Sequence, residues 1–135
     1  MSGLVLKLNP RERVLVNGAV IENGDRRSKL SILTPNANIL RLRDAIRPDE
    51  VNTPVRRVCY IAQLALSGDA SEEDARVQLT SGIHQLRQAL LDEDSSLQLL
   101  SALTAVGGGD FYRALKCLRA LLPHEERLMA AAQAS

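Results

Sequence analysis

Cationic side chains are the residues of this sequence whose type and placement best fit a binding chemistry. An arginine side chain is planar and donates two parallel hydrogen bonds, a geometry that matches phosphate oxygens. No Phe, Tyr or Trp precedes Tyr60. The part of the chain before Tyr60 therefore offers no aromatic platform on which nucleic-acid bases could stack. The pattern predicts recognition of phosphates and of nucleic-acid shape, with strong salt dependence. The candidate contacts are Arg11, Arg13, Arg26, Arg27, Lys29, Arg41, Arg43, Arg56 and Arg57.

The arrangement of these cations allows two interpretations. Residues two apart on a strand share a face, so Arg41 and Arg43 are expected to project together and make adjacent contacts. The turn position of the Arg26-Arg27 pair predicts exposed side chains near a sheet edge. The alternative is that the arginines solvate a sheet face and neutralise nearby carboxylates, which are those of Glu12, Glu22 and Asp25.

Arg56 and Arg57 fall in the first turn of a predicted helix, where positive charge opposes the helix dipole. That conflict is explained either by contact with a polyanion or by a salt bridge between the two halves of the chain. The second explanation is slightly favoured because three acids, Asp44, Asp49 and Glu50, are close in sequence.

Metal and nucleophilic chemistry find little support in the residue spacing. Cys59, Cys117, His84 and His124 lack the paired spacings of zinc sites, and neither cysteine has a histidine nearby in sequence. The two cysteines fall in apolar helical patterns and are expected to be free thiols. We therefore predict a protein that is not an enzyme and has no metal site and no cofactor.

Composition and charge describe a folded chain with two unlike halves. Of 135 residues, 45% are hydrophobic and 24% are charged, which excludes a disordered protein. Residues 1–58 contain 11 Lys/Arg and 6 Asp/Glu, a net charge of +5; residues 59–135 contain 6 and 10, a net of −4. The basic half suggests a polyanionic partner. No apolar run approaches the roughly 20 residues that span a bilayer, so a cytoplasmic protein without membrane contact is expected.

The positions of these residues imply an α+β fold. The alternating Leu4–Leu8 segment and the Asn17-Gly18 hairpin signal predict about five short antiparallel strands in a small β half, residues 1–47. Residues 48–54 are predicted to be a hinge, and residues 55–135 a helical bundle of four to five helices. A sheet this small needs another layer or another chain to cover it, which predicts a homodimer through the β half.

Helix boundaries are indicated by capping residues. Thr53, Ser71 and Asp110 are predicted N-caps, because their side chains can accept a hydrogen bond from the first turn. The fourth helix is predicted to stop at Pro123, and a short fifth helix to run from about His124 towards Ala132.

Four segments resemble the FlbT family of flagellum-biosynthesis repressors. They read Asn-Gly-Ala-Val-Ile-Glu-Asn-Gly-Asp-Arg-Arg at 17–27, Leu-Arg-Leu-Arg-Asp at 40–44, Thr-Pro-Val-Arg-Arg-Val-Cys-Tyr-Ile-Ala-Gln-Leu at 53–64 and Tyr-Arg-Ala-Leu-Lys-Cys-Leu-Arg-Ala-Leu-Leu-Pro at 112–123. The resemblance covers nearly the whole chain. It implies a post-transcriptional repressor that associates with the untranslated leader of flagellin messenger RNA and promotes its decay.

The β half also resembles the carbon-storage-regulator (CsrA-type) module, a five-stranded messenger-RNA binder that forms an intertwined dimer. The matching residues are Leu4-Val5-Leu6, Glu12, Thr34-Pro35, and Arg43-Asp44 with Ile46. This resemblance implies that Arg43 contacts RNA. Leu8-Asn9 departs from that family, which has a basic pair after its first strand, and puts the family's sequence preference in doubt.

A second hypothesis is a protein-binding adaptor or chaperone, whose helical half holds flagellin or another flagellar regulator and affects messenger RNA indirectly. The sequence suggests charge reversal at Arg41 and Arg43 as the way to separate the two hypotheses. The substitution should abolish direct RNA binding and leave an adaptor function intact.

Overall fold

A computed structural model describes residues 3–134 and confirms the α+β class, with antiparallel strands followed by helices. The strands are β1 (Leu4–Leu8), β2 (Arg13–Val16), β3 (Ala19–Glu22), β4 (Ser28–Ile32) and β5 (Ile39–Arg41). A 3-10 turn at Leu42–Asp44 follows β5, and another occupies Pro48–Glu50. The strand content of the β half therefore agrees with the alternating apolar pattern.

The five strands form two separate antiparallel sheets. One is a two-stranded ribbon of β1 and β4, and the other has three strands in the order β3-β2-β5. The β2–β3 hairpin turns at Asn17 and Gly18, whose φ angles are 47° and 87°. Asn and Gly tolerate positive φ at both central positions of a tight hairpin, which is why this pair predicted the hairpin correctly.

The helices are α1 (Pro54–Ser67), α2 (Glu72–Ala89), α3 (Glu93–Gly107), α4 (Phe111–Arg119) and α5 (Leu122–Ala134). The three predicted N-caps are confirmed, because the side chains of Thr53, Ser71 and Asp110 each accept a backbone N–H from the first turn. The predicted boundary at Pro123 is wrong: α4 ends at Arg119 and Pro123 lies in the first turn of α5. Proline fits there because the first-turn N–H groups have no partner within the helix.

Two hydrophobic cores lie on either side of the junction between the halves. Inward-facing side chains of the ribbon and the second sheet, such as Leu6 and Val14, form the smaller core. The larger core is formed by side chains of the four helices α1, α2, α3 and α4, and it also contains Leu40 and Ile46 from the β half. Tyr112 packs against both. Among residues 3–134, no helix combines the length and apolar composition needed to span a bilayer.

Polar side chains fasten the halves across this junction. The Gln63 amide accepts a hydrogen bond from the Ile46 N–H at 2.7 Å and donates one to the Ile46 carbonyl at 3.0 Å. Arg119 of α4 donates to the Asp44 carbonyl at 2.8 Å, and its guanidinium lies 3.7 Å from the Asp44 carboxylate. Because these bonds are made to backbone atoms as well as side chains, they hold the chain path between β5 and α1 in place.

Candidate nucleic-acid interface

The outward face of the β1–β4 ribbon carries two lysines directly opposite one another. Lys7 pairs with Lys29 in the antiparallel register, and both side chains are exposed while Leu6 and Leu8 point into the core. Within residues 3–134, neither ammonium group has a carboxylate at salt-bridge distance. Like charges facing each other across strands are destabilising. An unneutralised pair at this position is therefore a cost to the fold that an anionic ligand would remove.

The loop preceding β4 contains two more cations, next in sequence to the strand that carries Lys29. Arg26 and Arg27 are exposed, and no ion pair joins either one to another residue of the described chain. The backbone beneath them is fixed by Asn23, whose amide donates to the Asn9 carbonyl at 2.8 Å and to the Arg26 carbonyl at 2.9 Å. The loop is thus held in place while it presents two exposed cations. We call Lys7, Arg26, Arg27 and Lys29 the basic ribbon.

Arg11 and Arg13 are neutralised by acids, in agreement with the alternative interpretation of the sequence. Arg11 lies 3.4 Å from Glu22 and 2.9 Å from Asp25, and Arg13 lies 2.9 Å from Glu22. The hydrogen bond from Arg13 lowers the pKa of the Glu22 carboxyl, with help from the Arg13 and Arg11 charges. Exposed pairs of this kind contribute little stability, so these arginines keep some ability to exchange partners.

Arg41 is part of the structure of the β half. Its guanidinium makes two 2.6 Å hydrogen bonds to the Glu12 carboxylate and a third to the Lys7 carbonyl. The Arg41 and Glu12 side chains are only 12% and 5% exposed. The hydrogen bond from Arg41 lowers the pKa of Glu12 to about 2, against the opposing effect of burial, and an N–H from Asn9 assists. The Nε and Nη2 donors of Arg41 therefore form hydrogen bonds within the fold.

The expectation that Arg41 and Arg43 lie on one strand is wrong, because β5 ends at Arg41 and a 3-10 turn follows it. Both guanidinium groups nevertheless lie beside the same carboxylate, that of Glu12. Arg43 is 49% exposed and lies 3.7 Å from Glu12 and 3.9 Å from Asp44. Both oxygens of Glu12 already bond Arg41, so Arg43 is held weakly and remains accessible.

Arg56 and Arg57 lie in the first turn of α1 and have other neighbours than the basic ribbon has. Arg56 donates to the Asn52 side chain at 3.1 Å and lies 3.6 Å from Glu126 of α5. The predicted bridge from Arg56 to Asp44, Asp49 or Glu50 is not the one formed. Arg57 is exposed and forms no ion pair with the residues that the structure describes.

The basic ribbon thus contains three predicted cations, Arg26, Arg27 and Lys29, and also Lys7, which is not among the predicted contacts. Alternation along β1 already placed Lys7 on the outward face. The missing information was the pairing of β1 with β4, which brings residue 7 opposite residue 29 from far along the chain.

The two cysteines are at least partly buried, His124 has an acidic neighbour, and His84 is exposed. Burial raises the pKa of the fully buried Cys59 thiol to about 12 and also raises that of the half-buried Cys117, and both thiols are free. His124 lies 3.1 Å from Asp92, which caps α3 through the Ser95 N–H. Across residues 3–134, no group of three or more His, Cys, Asp or Glu side chains is placed to hold a metal ion.

Comparison with known proteins identifies relatives along almost the whole chain. Residues 4–129 match the family model described as flagellar protein FlbT. The chain is 35% identical to the probable flagellum biosynthesis repressor protein FlbT 1 of Bradyrhizobium diazoefficiens, covering 93% of this chain and 84% of that protein. It is 28% identical to the flagellum biosynthesis repressor protein FlbT of Caulobacter vibrioides, covering 91% and 86%. No solved structure matches the chain significantly.

Proposed function

The chain belongs to the FlbT family of flagellar proteins, and from this premise we propose that it is a post-transcriptional repressor of flagellum biogenesis. It binds the 5'-untranslated leader of flagellin messenger RNA and promotes degradation of that RNA in the cytoplasm. The observation that carries this proposal is the basic ribbon, four exposed cations without acidic partners in the described chain. Cleavage of the message is assigned to a separate ribonuclease.

In this proposal, the exposed cations of the basic ribbon bind phosphates, and Arg41 has a structural role. Lys7, Lys29 and the Arg26-Arg27 pair bind phosphates along the ribbon. The Arg41 guanidinium holds the backbone of β1 in place, because it donates a hydrogen bond to the Lys7 carbonyl. Charge reversal at Arg41, which the sequence suggested as a test, is a poor measure of RNA contact, because Arg41→Glu would place a second carboxylate beside Glu12 and disrupt the fold.

Direct binding of labelled flagellin leader RNA to the purified chain tests this function. If four cations neutralise phosphates on single-stranded RNA, the logarithm of the binding constant should fall with the logarithm of salt concentration with a slope of about −3. Fluorescence anisotropy across a salt series measures the slope, and a scrambled RNA of equal length is the control. Equal affinity for both RNAs, or no binding, would contradict a specific leader-binding repressor.

Homodimerisation through the β half is also proposed. The edge strand β3 has Val20 62% exposed, and Ile21 beside it is partly exposed as well. Exposed β-branched residues on a free sheet edge favour pairing with another chain. Light scattering at micromolar concentration is expected to give a dimer, and Val20→Lys a monomer. Val77→Lys, at an equally exposed valine of α2, is the matched control. A monomeric wild-type chain would exclude this arrangement.

A second candidate function is an adaptor or chaperone that binds flagellin or another flagellar regulator. Residues 95–109 include most of α3 and contain no charged side chain, although Leu97 and Leu100 are exposed on its surface. An uncharged helix face in water is typical of a surface that contacts another protein. Repression in cells without any binding of purified chain to leader RNA would favour this candidate.

A further inference from the structure

A groove of about 760 Å³ separates α4 from the ribbon and the loop that joins β4 to β5. Its apolar lining includes Leu4, Ile32 and Leu33, and the Leu33 side chain is 73% exposed. The volume falls within the range of roughly 300–1,000 Å³ that is typical of ligand-binding clefts. The exposed Leu33 side chain therefore offers an apolar surface that a partner bound in the groove would bury.

The wall formed by α4 is basic. Arg113, Lys116, Cys117 and Ala120 follow the spacing of one helix face and all line the groove. In the described chain, no carboxylate lies at salt-bridge distance from Arg113 or Lys116. The Asp110 carboxylate at the same end accepts the Arg113 backbone N–H at 3.0 Å and so caps the helix. The groove therefore combines an apolar floor with two cations that lack anionic partners.

The opposite wall is held in place before any partner binds. Asn36, in the β4–β5 loop, has a φ of 53° and donates its side-chain N–H to the Gly108 carbonyl at 2.9 Å. This bond ties the loop to the turn between α3 and α4. A cleft with fixed walls lowers the entropy cost of binding, because less of the protein must be ordered.

We propose that this groove is the docking site for a peptide segment of a partner protein, with apolar anchor residues flanked by Asp or Glu. The apolar anchors fill the floor beside Leu33, and the carboxylates pair with Arg113 and Lys116. RNA fits less well, because Tyr112, the aromatic residue of the lining, is half-buried and has the Lys116 ammonium 5.6 Å from its ring centre. That ring is not free to stack a base. Peptide docking in the groove does not depend on RNA binding by the basic ribbon.

Selection of random peptides displayed on phage against the full chain tests the groove. The expected result is enrichment of sequences with large apolar residues flanked by acids. The affinity of an enriched peptide, measured by fluorescence anisotropy, should fall about tenfold in Arg113→Glu with Lys116→Glu, as expected for two partly exposed ion pairs. Arg87→Glu with Arg127→Glu, at two exposed arginines of α2 and α5, is the matched control and should leave peptide affinity unchanged.

Three results would overturn the proposal: no enrichment, enrichment of peptides without acids, or equal losses in the groove and control variants. Thermal unfolding confirms that each variant is folded. Leader-RNA affinity of the groove variant is measured in parallel. If RNA binding falls in the groove variant while peptide binding does not, the groove belongs to the nucleic-acid interface and the peptide site is excluded. Failure of RNA binding in the wild-type chain affects only the proposed function, since the peptide measurement stands separately.

Discussion

Lys7→Glu combined with Lys29→Glu is expected to weaken binding to flagellin leader RNA by about a hundredfold. Each reversal removes a phosphate contact and adds repulsion, and a combined loss of about 2.7 kcal/mol corresponds to two factors of ten. The salt dependence should also become shallower by about 1.4 units of slope, because two fewer phosphates of the single-stranded RNA are neutralised. Anisotropy titrations of wild type and variant across the same salt series measure both effects.

The matched control for this variant is the pair Arg87→Glu and Arg127→Glu, which changes the net charge equally on the exposed surface of the helical half. A comparable loss of affinity in the control would show that overall charge, and not the basic ribbon, governs binding. Full affinity in the ribbon variant would exclude the ribbon as the interface.

The single substitution Lys7→Glu separates binding from folding. It places a carboxylate directly opposite Lys29 and replaces a repulsive cross-strand pair by an attractive one, which is worth roughly 0.2–1 kcal/mol. The variant should therefore unfold at slightly higher urea concentration while it binds RNA more weakly. Those opposite changes are expected only if the ribbon gives up stability for ligand binding.

Glu12→Gln is expected to lower the free energy of unfolding by about 2–3 kcal/mol. The substitution removes the charge that faces the nearly buried Arg41 and weakens hydrogen bonds to a charged group, each worth about 1.5–3 kcal/mol. Urea denaturation followed by circular dichroism measures the change. Glu22→Gln, which disrupts the exposed pairs with Arg11 and Arg13, should cost less than about 1 kcal/mol. Equal effects of the two substitutions would contradict a structural role for Glu12.

The difference between wild type and Glu12→Gln should depend on pH. The pKa of Glu12 is lowered from 4.5 to about 2 in the folded chain. A lowered folded-state pKa means that the stabilisation is fully present above a pH of 4.5 and is lost as the pH falls towards 2. The two unfolding free energies should therefore converge over that range. A constant difference across the same range would show that the carboxylate is not the stabilising species.

The sequence predicted elements whose signals are local. The hairpin followed from Asn17-Gly18, and three helix starts followed from Thr53, Ser71 and Asp110, because each signal acts within about four residues. The sequence does not fix the boundary between α4 and α5, because proline is compatible with a first helical turn as well as with a helix end.

The candidate site depended on contacts between distant residues, which local patterns do not contain. The sequence offers Glu12 as one of the carboxylates that could neutralise the arginines, but it does not show which arginine Glu12 binds. The pairing of β2 with β5 brings Arg41, 29 positions away, to that carboxylate. Lys7 is absent from the predicted contacts because its importance arises from Lys29, on a strand that is also distant in sequence. The residue types predict a phosphate ligand. The pairing of the strands decides which of the cations are free to bind it.

The Gln63 contact has a consequence for how substitutions accumulate at the junction of the two halves. Both of its hydrogen bonds reach backbone atoms of Ile46, so the bonds do not depend on which side chain residue 46 carries. Another apolar residue at 46 preserves them, whereas leucine at 63 loses both and glutamate loses the donor. The constraint therefore falls on one position alone. Pairwise covariation would not detect this contact, although it joins the β half to the helical half.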